Sequence, residues 1–297
     1  MNKFVKSHGL GNDYIVIEGG AISFEIKPEA IKLLCHRNYG IGSDGILLLT
    51  PSESADFGLR ILNPDGSEAE KSGNGLRIFA KYLYEHGHTD KKAFTIETPG
   101  GVVQADLETE GAIVRYVTVE MGTATFKSSE VPVTGGGGER EVVGEEITVD
   151  GDTLKFTAVS VGNPHCVIFF DELDESYLRR VGPLIENHEM FPNRTNLQFA
   201  RVLSRDRIQI LIWERGAGYT LASGSSSCAA AAAAVKNGFT DGSVTVEMPG
   251  GELGIEIRDD WSIRMKGPVE EVIEGTISPD LLNKIASLIP NAPPTPL

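Results

Sequence analysis

Short apolar runs separated by clusters of glycine and polar residues make up most of the chain. The clusters include YGIGSDG at 39–45, NPDGSE at 63–68 and ASGSSS at 222–227. Turn-forming residues at this density are typical of many short β-strands. The few stretches with helical spacing are residues 28–37, 73–86, 228–237 and 279–289. The pattern therefore predicts a mainly-β chain with few helices, and a disordered proline-rich tail at 290–297.

Similar motifs recur along the chain at a nearly constant separation in sequence. The matched positions are Asn12 and Asn163, Asn63 and Glu214, and Ser72 and Ser223, each 151 residues apart, and Pro99 and Pro249, which are 150 apart. Glycine-rich turns resemble one another by chance, but here the order, the spacing and the flanking strand character agree as well. The agreement predicts a tandem duplication of one mainly-β unit of about 150 residues.

Each half places Ser-Gly at the start of a predicted helix, with Ser72 before Gly73 and Ser223 before Gly224. A helix N-terminus binds carboxylates and lowers the pKa of a nucleophile placed there. Two similar domains facing each other are expected to form a ligand cleft. Two helix ends at one substrate suit removal of a proton from one face of a carbon and its return on the other, which is racemisation or epimerisation. The alternative is that both serines are ordinary N-caps, a position that serine favours.

Composition narrows the classes of function. The net charge is −15 and no stretch is rich in lysine and arginine, so neither nucleic acid nor an anionic membrane is an expected partner. No apolar run approaches the roughly 20 residues that span a bilayer. Cys35, Cys166 and Cys228 are spaced like neither a disulfide framework nor a zinc site. We expect a cytoplasmic protein and, without metal, nucleotide or flavin motifs, no metal and no cofactor.

Six motifs in order carry a resemblance to a known family. They are HGLGNDY at 8–14, NPDGSEAEKSGNGLR at 63–77, SVGNPH at 160–165, FPNRTN at 191–196, WERGAG at 213–218 and ASGSSSCAA at 222–230. Together they resemble the diaminopimelate epimerases, which are pyridoxal-independent amino-acid epimerases, over residues 3–275. The resemblance implies an α/β (α+β) fold of two pseudo-symmetric domains, each a curled β-sheet around a central helix. The expected domains are 1–120, with 275–297 crossing back to it, and 121–274.

The resemblance also implies a mechanism in which one cysteine thiolate takes the α-proton and a second cysteine thiol donates from the opposite face. Ser72 and Ser223 occupy those two positions here, whereas Cys228 matches a later, non-catalytic cysteine. A serine hydroxyl is much less acidic than a thiol and is a poor general base without a partner. We therefore expect Ser72 and Ser223 to be the catalytic positions of a form that is slow or inactive.

Three explanations of the two serines stay open. The chain is an engineered variant without the two thiols, a natural paralogue with altered chemistry, or a non-catalytic amino-acid binder. Further departures at the same place favour the natural paralogue. The family's Thr-Gly-Ala is Ser225-Ser226-Ser227 here, and a common Glu is Tyr219. On the substrate-binding side one site changes, because Gly45 stands where the family often has Gln.

The substrate-binding positions are better preserved. By resemblance, the α-carboxylate would be held by backbone N–H groups of Gly73, Asn74, Gly224 and Ser225. Glu214 and Arg215 would engage the distal amino and carboxylate groups, for which the arginine fork is suited. The distal amino-acid end of the substrate, or its polar groups, would be held by Asn12, Asn63, Asn163 and Asn196. Taken singly, each asparagine would be read as part of a structural turn. Within the matched motifs the functional interpretation is favoured for Asn63, Asn74 and Asn196. His165 could assist a weak hydroxyl base, or simply pack and hydrogen-bond.

The sequence thus favours cofactor-independent epimerisation of an amino acid at its α-carbon, with L,L-diaminopimelate converted to meso-diaminopimelate. In the pathway this serves lysine and cell-wall precursor synthesis. The alternatives are a racemase, isomerase or eliminating enzyme acting on another amino acid, and a non-catalytic binder. The expected partners are a small-molecule amino-acid substrate and, from the family, a second copy in a homodimer.

Overall fold

A computed structural model describes residues 2–288 of the chain. The chain divides into two compact units, the first holding the described residues up to Val119 and from Gly267 onward, the second spanning Glu120–Lys266. The disordered tail expected at 290–297, and the last residue of the helix expected at 279–289, lie outside the described residues. Within the described part, no helix combines the length and the apolar character that crossing a membrane requires.

The strands and helices alternate in a similar way in both units. The strands are β1 (Lys3–Gly9), β2 (Asn12–Glu18), β3 (Ile46–Thr50), β4 (Phe57–Leu62), β5 (Glu68–Ala69), β6 (Ala93–Thr98), β7 (Gly101–Glu110), β8 (Ile113–Thr123), β9 (Glu145–Val149), β10 (Asp152–Ser160), β11 (Pro164–Phe169), β12 (Asn196–Ser204), β13 (Arg207–Glu214), β14 (Gly218–Thr220), β15 (Ser243–Met248), β16 (Gly251–Ile257), β17 (Ser262–Pro268) and β18 (Glu270–Thr276). The helices are α1 (Pro28–Cys35), α2 (Gly73–Glu85), α3 (Glu175–Glu186), α4 (Gly224–Lys236) and α5 (Pro279–Leu288), with a 3-10 turn at Gly19–Ala21.

The two units repeat one order of strand pairing, which confirms the duplication inferred from the sequence. In the first unit β2 pairs parallel with β3, β3 antiparallel with β4, β4 parallel with β6, and β6 antiparallel with β7. In the second unit β11, β12, β13, β15 and β16 follow the same sequence of parallel and antiparallel pairings. β18 returns to the first unit and pairs antiparallel with β1. The mixed α/β fold expected from the resemblance is confirmed.

One buried helix lies at the centre of each unit. α2 contacts β1, β2 and β7, and α4 contacts strands from β10 to β13 together with β15 and β16. A helix buried on every side must be apolar or have its polar groups paired. α4 meets this condition with alanine, since every residue from Ala229 to Ala234 is inaccessible to solvent. α2 uses larger apolar residues and pairs its buried Lys81 with Glu85 at 2.6 Å.

The helix predictions need two corrections. α4 begins at Gly224 rather than at Cys228, because the serines before the alanine run also belong to the helix. α3 was not predicted from the sequence, since Pro183 interrupts the helical pattern in its last turn. A start signal was present: the Asp174 side chain accepts a hydrogen bond from the Tyr177 N–H at 3.1 Å, as an N-cap does.

Candidate functional site

Ser72 lies at the N-cap of α2, where the sequence placed it. Its backbone is extended, with φ −142° and ψ 118°, and its Oγ accepts a hydrogen bond from the Gly75 N–H at 3.1 Å. Its hydroxyl also lies 3.2 Å from the phenolic oxygen of Tyr14. A Cβ at position 75 would lie 3.2 Å from Ser72 Oγ and 2.9 Å from Leu47, so glycine keeps the helix start open. Ser72 is therefore an N-cap whose hydroxyl has a second partner.

Asn74 and Asn12 join the start of α2 to the start of β2. The Asn74 amide donates to Asn12 Oδ1 at 3.0 Å, and the Asn12 amide donates to Asp44 Oδ2 at 3.0 Å. Arg77, which is fully buried, donates to Asn74 Oδ1 at 2.8 Å and to the Gly73 carbonyl at 3.3 Å. The structure thus brings Asn12, Gly73 and Asn74 together around the helix end and places a buried positive charge beside them.

Asp13 is the charged anchor of this network. It accepts hydrogen bonds from Arg37 at 2.7 Å and forms an ion pair with Lys6 at 2.9 Å. Burial opposes its ionisation, but the hydrogen bonds from Arg37 and Lys6 outweigh burial and lower the pKa of Asp13 to about 2. Arg37 also bonds Asp44 at 2.6 Å, which connects the anchor to Asn12. The carboxylate stays ionised at neutral pH and holds β2 in place.

Asn63 lies in the turn between β4 and β5. Its backbone N–H donates to the Ser67 carbonyl at 2.8 Å, and its side-chain amide donates to Ser67 Oγ at 2.9 Å. These contacts match the structural alternative for a turn asparagine, and none of them joins Asn63 to the residues at the start of α2.

Ser223 occupies the N-cap of α4, as predicted, but in different surroundings from Ser72. Its hydroxyl makes no cap hydrogen bond; instead the Ser227 hydroxyl donates to the Ser223 carbonyl at 2.8 Å. Burial raises the pKa of the Glu214 carboxyl, and a hydrogen-bonding interaction with Ser223 partly opposes the rise. A phenol therefore lies beside Ser72 in the first unit, and a carboxyl group interacts with Ser223 in the second unit.

Asn196 ties the predicted arginine to a neighbouring strand. Its amide donates to the Pro164 carbonyl at 2.8 Å, and its Oδ1 accepts the Arg215 backbone N–H at 2.9 Å. The Arg215 guanidinium donates to the Asn193 carbonyl at 2.9 Å, which leaves further donors of the fork for a carboxylate.

His165 and Asn163 form a pair in the interior of the second unit. His165 is fully buried, and its Nε2 lies 2.9 Å from Asn163 Oδ1. Burial lowers the pKa of His165 to about 3, with a smaller contribution in the same direction from Arg215 and an opposing one from Gln198. A neutral, buried imidazole bonded to Asn163 fits the alternative in which His165 packs and hydrogen-bonds.

Two residues with contacts at these helix starts were missed by the sequence analysis, Tyr14 and Gln198. Gln198 is fully buried and donates to the Ser226 hydroxyl at 3.0 Å, inside the first turn of α4. For Tyr14 a signal existed, because side chains two residues apart share one face of a strand, and β2 begins at Asn12. Tyr219 points elsewhere: its hydroxyl donates to Glu175 at 3.0 Å, and Arg179 lies 3.9 Å from its ring centroid.

The backbone N–H groups named in the sequence analysis lie in the first turns of α2 and α4. These are the N–H groups of Gly73, Asn74, Gly224 and Ser225. N–H groups in a first helical turn have no intrahelical partner and carry the positive end of the helix dipole. Each unit can therefore offer a carboxylate an electropositive helix end, with a serine hydroxyl beside it.

Residues 2–288 contain few groups suited to thiol or metal chemistry. No group of three or more His, Cys, Asp or Glu side chains there could hold a metal ion. The three cysteines are buried and unbridged. Burial raises the pKa of Cys35 and of Cys166, so neither supplies a thiolate at neutral pH.

The chain matches the family model for diaminopimelate epimerase over residues 4–127 and 157–272. A protein named diaminopimelate epimerase 2 from a Nostoc species is 52% identical over 280 residues, covering 94% of this chain and 96% of that protein. The diaminopimelate epimerase of Pelotomaculum thermopropionicum is 46% identical, covering 92% and 97%. That of Desulfitobacterium hafniense is 44% identical, covering 95% and 100%.

Solved structures agree on the fold. A probable proline racemase from Agrobacterium radiobacter has a TM-score of 0.69 at 15% identity, covering 96% of this chain and 95% of that one. A hydroxyproline epimerase from Agrobacterium vitis has a TM-score of 0.67 at 14% identity, covering 93% and 90%. At this identity the likeness concerns the fold alone.

Proposed function

Because the chain belongs to the diaminopimelate epimerase family, a family of amino-acid epimerases, we propose that it inverts the α-carbon of an amino acid without a cofactor. The proposed reaction converts L,L-diaminopimelate to meso-diaminopimelate. The observation that carries the proposal is the repeated helix start: α2 and α4 each begin directly after a serine, at equivalent positions of two duplicated units.

Ser72 and Ser223 are the proposed proton-transfer groups, acting on opposite faces of the α-carbon. One takes the α-proton and the other returns a proton, so that the configuration inverts and no net proton is consumed. Negative charge that develops on the α-carboxylate as the proton leaves is stabilised by N–H groups of the helix starts. Those groups are the N–H groups of Gly73, Asn74, Gly224 and Ser225.

The remaining predicted residues recognise the rest of the substrate in this proposal. Glu214 and Arg215 bind the distal ammonium and carboxylate groups, and the arginine fork favours two parallel charge-assisted bonds. The substrate's other polar groups meet the side chains of Asn12, Asn63, Asn163 and Asn196. Asn12 and Asn196 already have protein partners, and those partners fix the direction of their amides.

The serine form is proposed to be slow, since an aliphatic hydroxyl holds its proton more tightly than a thiol. The alternative proposal is a diverged paralogue that works on another amino acid. The hydroxyl-rich first turn of α4 favours it, because Ser225, Ser226 and Ser227 place three further hydroxyls close to Ser223.

The test is exchange of the α-proton of diaminopimelate in heavy water, followed by NMR together with chiral analysis of the product. We expect slow exchange by the parent chain and a gain of at least about 100-fold in Ser72→Cys/Ser223→Cys, because thiols at helix starts ionise near neutral pH. Each single substitution should give far less, and Ser204→Cys, at an exposed serine, is the control. Diaminopimelate that binds the double variant without exchanging its α-proton would contradict the proposal.

We further propose that the working form is a homodimer of this 32.0 kDa chain. Sedimentation velocity of the purified protein checks it, and a single species at the mass of one chain across micromolar concentrations would contradict it.

A further inference from the structure

The contact between Tyr14 and Ser72 joins two residues from different parts of the first unit. Tyr14 lies on β2, is only 7% exposed, and its phenolic oxygen is 3.2 Å from Ser72 Oγ. Gly45 leaves room for the ring, because a Cβ there would lie 2.7 Å from the ring's Cε1 atom and 2.8 Å from the Leu62 carbonyl oxygen. A side chain at position 45 would displace the ring, so the glycine permits the position that the Tyr14 ring takes. The phenolic oxygen thus lies within hydrogen-bond distance of the serine hydroxyl in a closely packed part of the first unit.

Either hydroxyl can donate in the contact between Tyr14 and Ser72, so the direction of the Ser72 proton depends on which one does. Its Oγ accepts the Gly75 N–H at 3.1 Å, and an N–H group can only donate. A serine oxygen has two lone pairs and one proton. When the phenol also donates, both lone pairs are used and the Ser72 proton points away from both partners. In that state the hydroxyl is oriented to give its proton to a third group.

We infer that Tyr14 is a positioning residue that orients the Ser72 hydroxyl and replaces the proton that Ser72 gives up. The inference rests on the proposed epimerisation. As the Ser72 proton bonds to the α-carbanion, whose electron pair forms the new C–H bond, the phenolic proton moves to Ser72 Oγ. The negative charge ends on the phenolate oxygen. In the opposite direction the phenolate takes the Ser72 proton while Ser72 Oγ takes the α-proton.

A phenol suits this task better than serine alone. Without it, proton donation would leave an aliphatic alkoxide on Ser72, which is far more basic than a phenolate whose charge spreads into the ring. The second unit is built differently. The residue 151 positions after Tyr14 is His165, whose ring bonds Asn163, and the neighbour of Ser223 is the Glu214 carboxyl. The phenol is therefore particular to the first unit.

Tyr14→Phe in the full-length chain tests the inference, because it removes the hydroxyl and keeps the ring. We expect exchange of the α-proton of diaminopimelate to slow by about 100-fold in kcat, the usual size of a proton-transfer contribution, with KM little changed. Tyr82→Phe is the matched control: it removes another phenol of the first unit, one that donates to Glu18 at 2.8 Å. The control should stay within a few-fold of the parent.

The same substitution in the Ser72→Cys background separates proton transfer from packing. A thiol at a helix start carries the proton itself, so Tyr14→Phe should there cost only a few-fold. Activity in that background also shows that the variant folds. An equal loss in both backgrounds, or unchanged exchange by Tyr14→Phe alone, would overturn the inference and leave the proposed function standing. Failure of the parent and of Ser72→Cys/Ser223→Cys to exchange the α-proton would overturn both together.

Discussion

Ser72 and Ser223 occupy equivalent positions in the two units but have different groups around them. Ser72 and Ser223 both occupy the residue before a central helix, yet Ser72 caps its helix and Ser223 does not. Their side-chain partners differ as well, since Ser72 contacts a phenol and Ser223 interacts with a carboxyl group. The position of each serine is a local property of its helix, whereas its acid–base behaviour depends on residues from other strands.

The burial of His165 predicts how the stability of the protein depends on pH. The folded protein binds a proton at His165 less tightly than the unfolded chain does, since burial lowers its pKa from 6.5 to about 3. Its contribution to stability is therefore complete above pH 6.5 and declines as the pH falls towards 3. The free energy of unfolding should fall by up to about 1.4 kcal/mol per pH unit in that range.

His165→Gln removes the titrating ring and keeps a polar side chain. Urea unfolding between pH 7 and pH 5 should show a smaller loss of stability for the variant than for the parent. Parallel curves for the two proteins would mean that His165 accepts a proton in the folded state.

At the scale of elements, the start of α2 depends on one buried arginine. Arg77 donates both to the Gly73 carbonyl and to Asn74, and Asn74 is bonded to Asn12. Removing the guanidinium leaves buried acceptors without this donor, which typically costs about 1–3 kcal/mol.

Arg77→Met should therefore lower the free energy of unfolding by about 2 kcal/mol or more and speed hydrogen exchange of the amides in the first turn of α2. The exposed Arg201→Met serves as the control. A variant with unchanged stability and unchanged exchange in that turn would show that the helix start holds without Arg77.

The buried alanine run of α4 predicts that a larger side chain there destabilises the protein. Ala231 is inaccessible to solvent in a helix that contacts strands on several sides. Ala231→Leu should destabilise the protein by about 1–3 kcal/mol through overpacking. Ala286→Leu on α5, at an exposed position, makes the same chemical change outside the core and should be close to neutral. Equal thermal midpoints for the two variants would contradict close packing around α4.

At the scale of the whole molecule, binding of a ligand should raise the free energy of unfolding. A ligand that binds only the folded state raises the free energy of unfolding by about 2.7 kcal/mol when its concentration is 100 times its Kd. We therefore expect diaminopimelate to raise the thermal midpoint of the parent chain even where turnover is slow.

Arg215→Gln should remove most of that rise, because the proposed carboxylate partner is lost, whereas Arg201→Gln should retain it. Differential scanning calorimetry with and without diaminopimelate provides the measurement. An equal rise for both variants would place the distal carboxylate elsewhere.

The amino-acid sequence alone was enough to predict the duplication, the start of α2 directly after Ser72, and the family, whereas its helical spacing placed the start of α4 four residues too late, at Cys228. These features are recorded locally, in turn residues, helical spacing and ordered motifs, so they can be recognised without coordinates. The nearly constant offset between the matched positions predicted a duplicated unit. The strand pairing of the structure repeats in both units, as a duplication requires.

The surroundings of these residues, by contrast, depend on the tertiary structure. Tyr14 meets Ser72 across 58 residues of sequence, and Asn74 meets Asn12 across 62. Such contacts depend on strand register and on how the central helix lies against the sheet, since a shift of one residue in a strand turns every side chain to the other face. The burial that neutralises His165 has the same origin: its environment is supplied by residues that are distant in sequence.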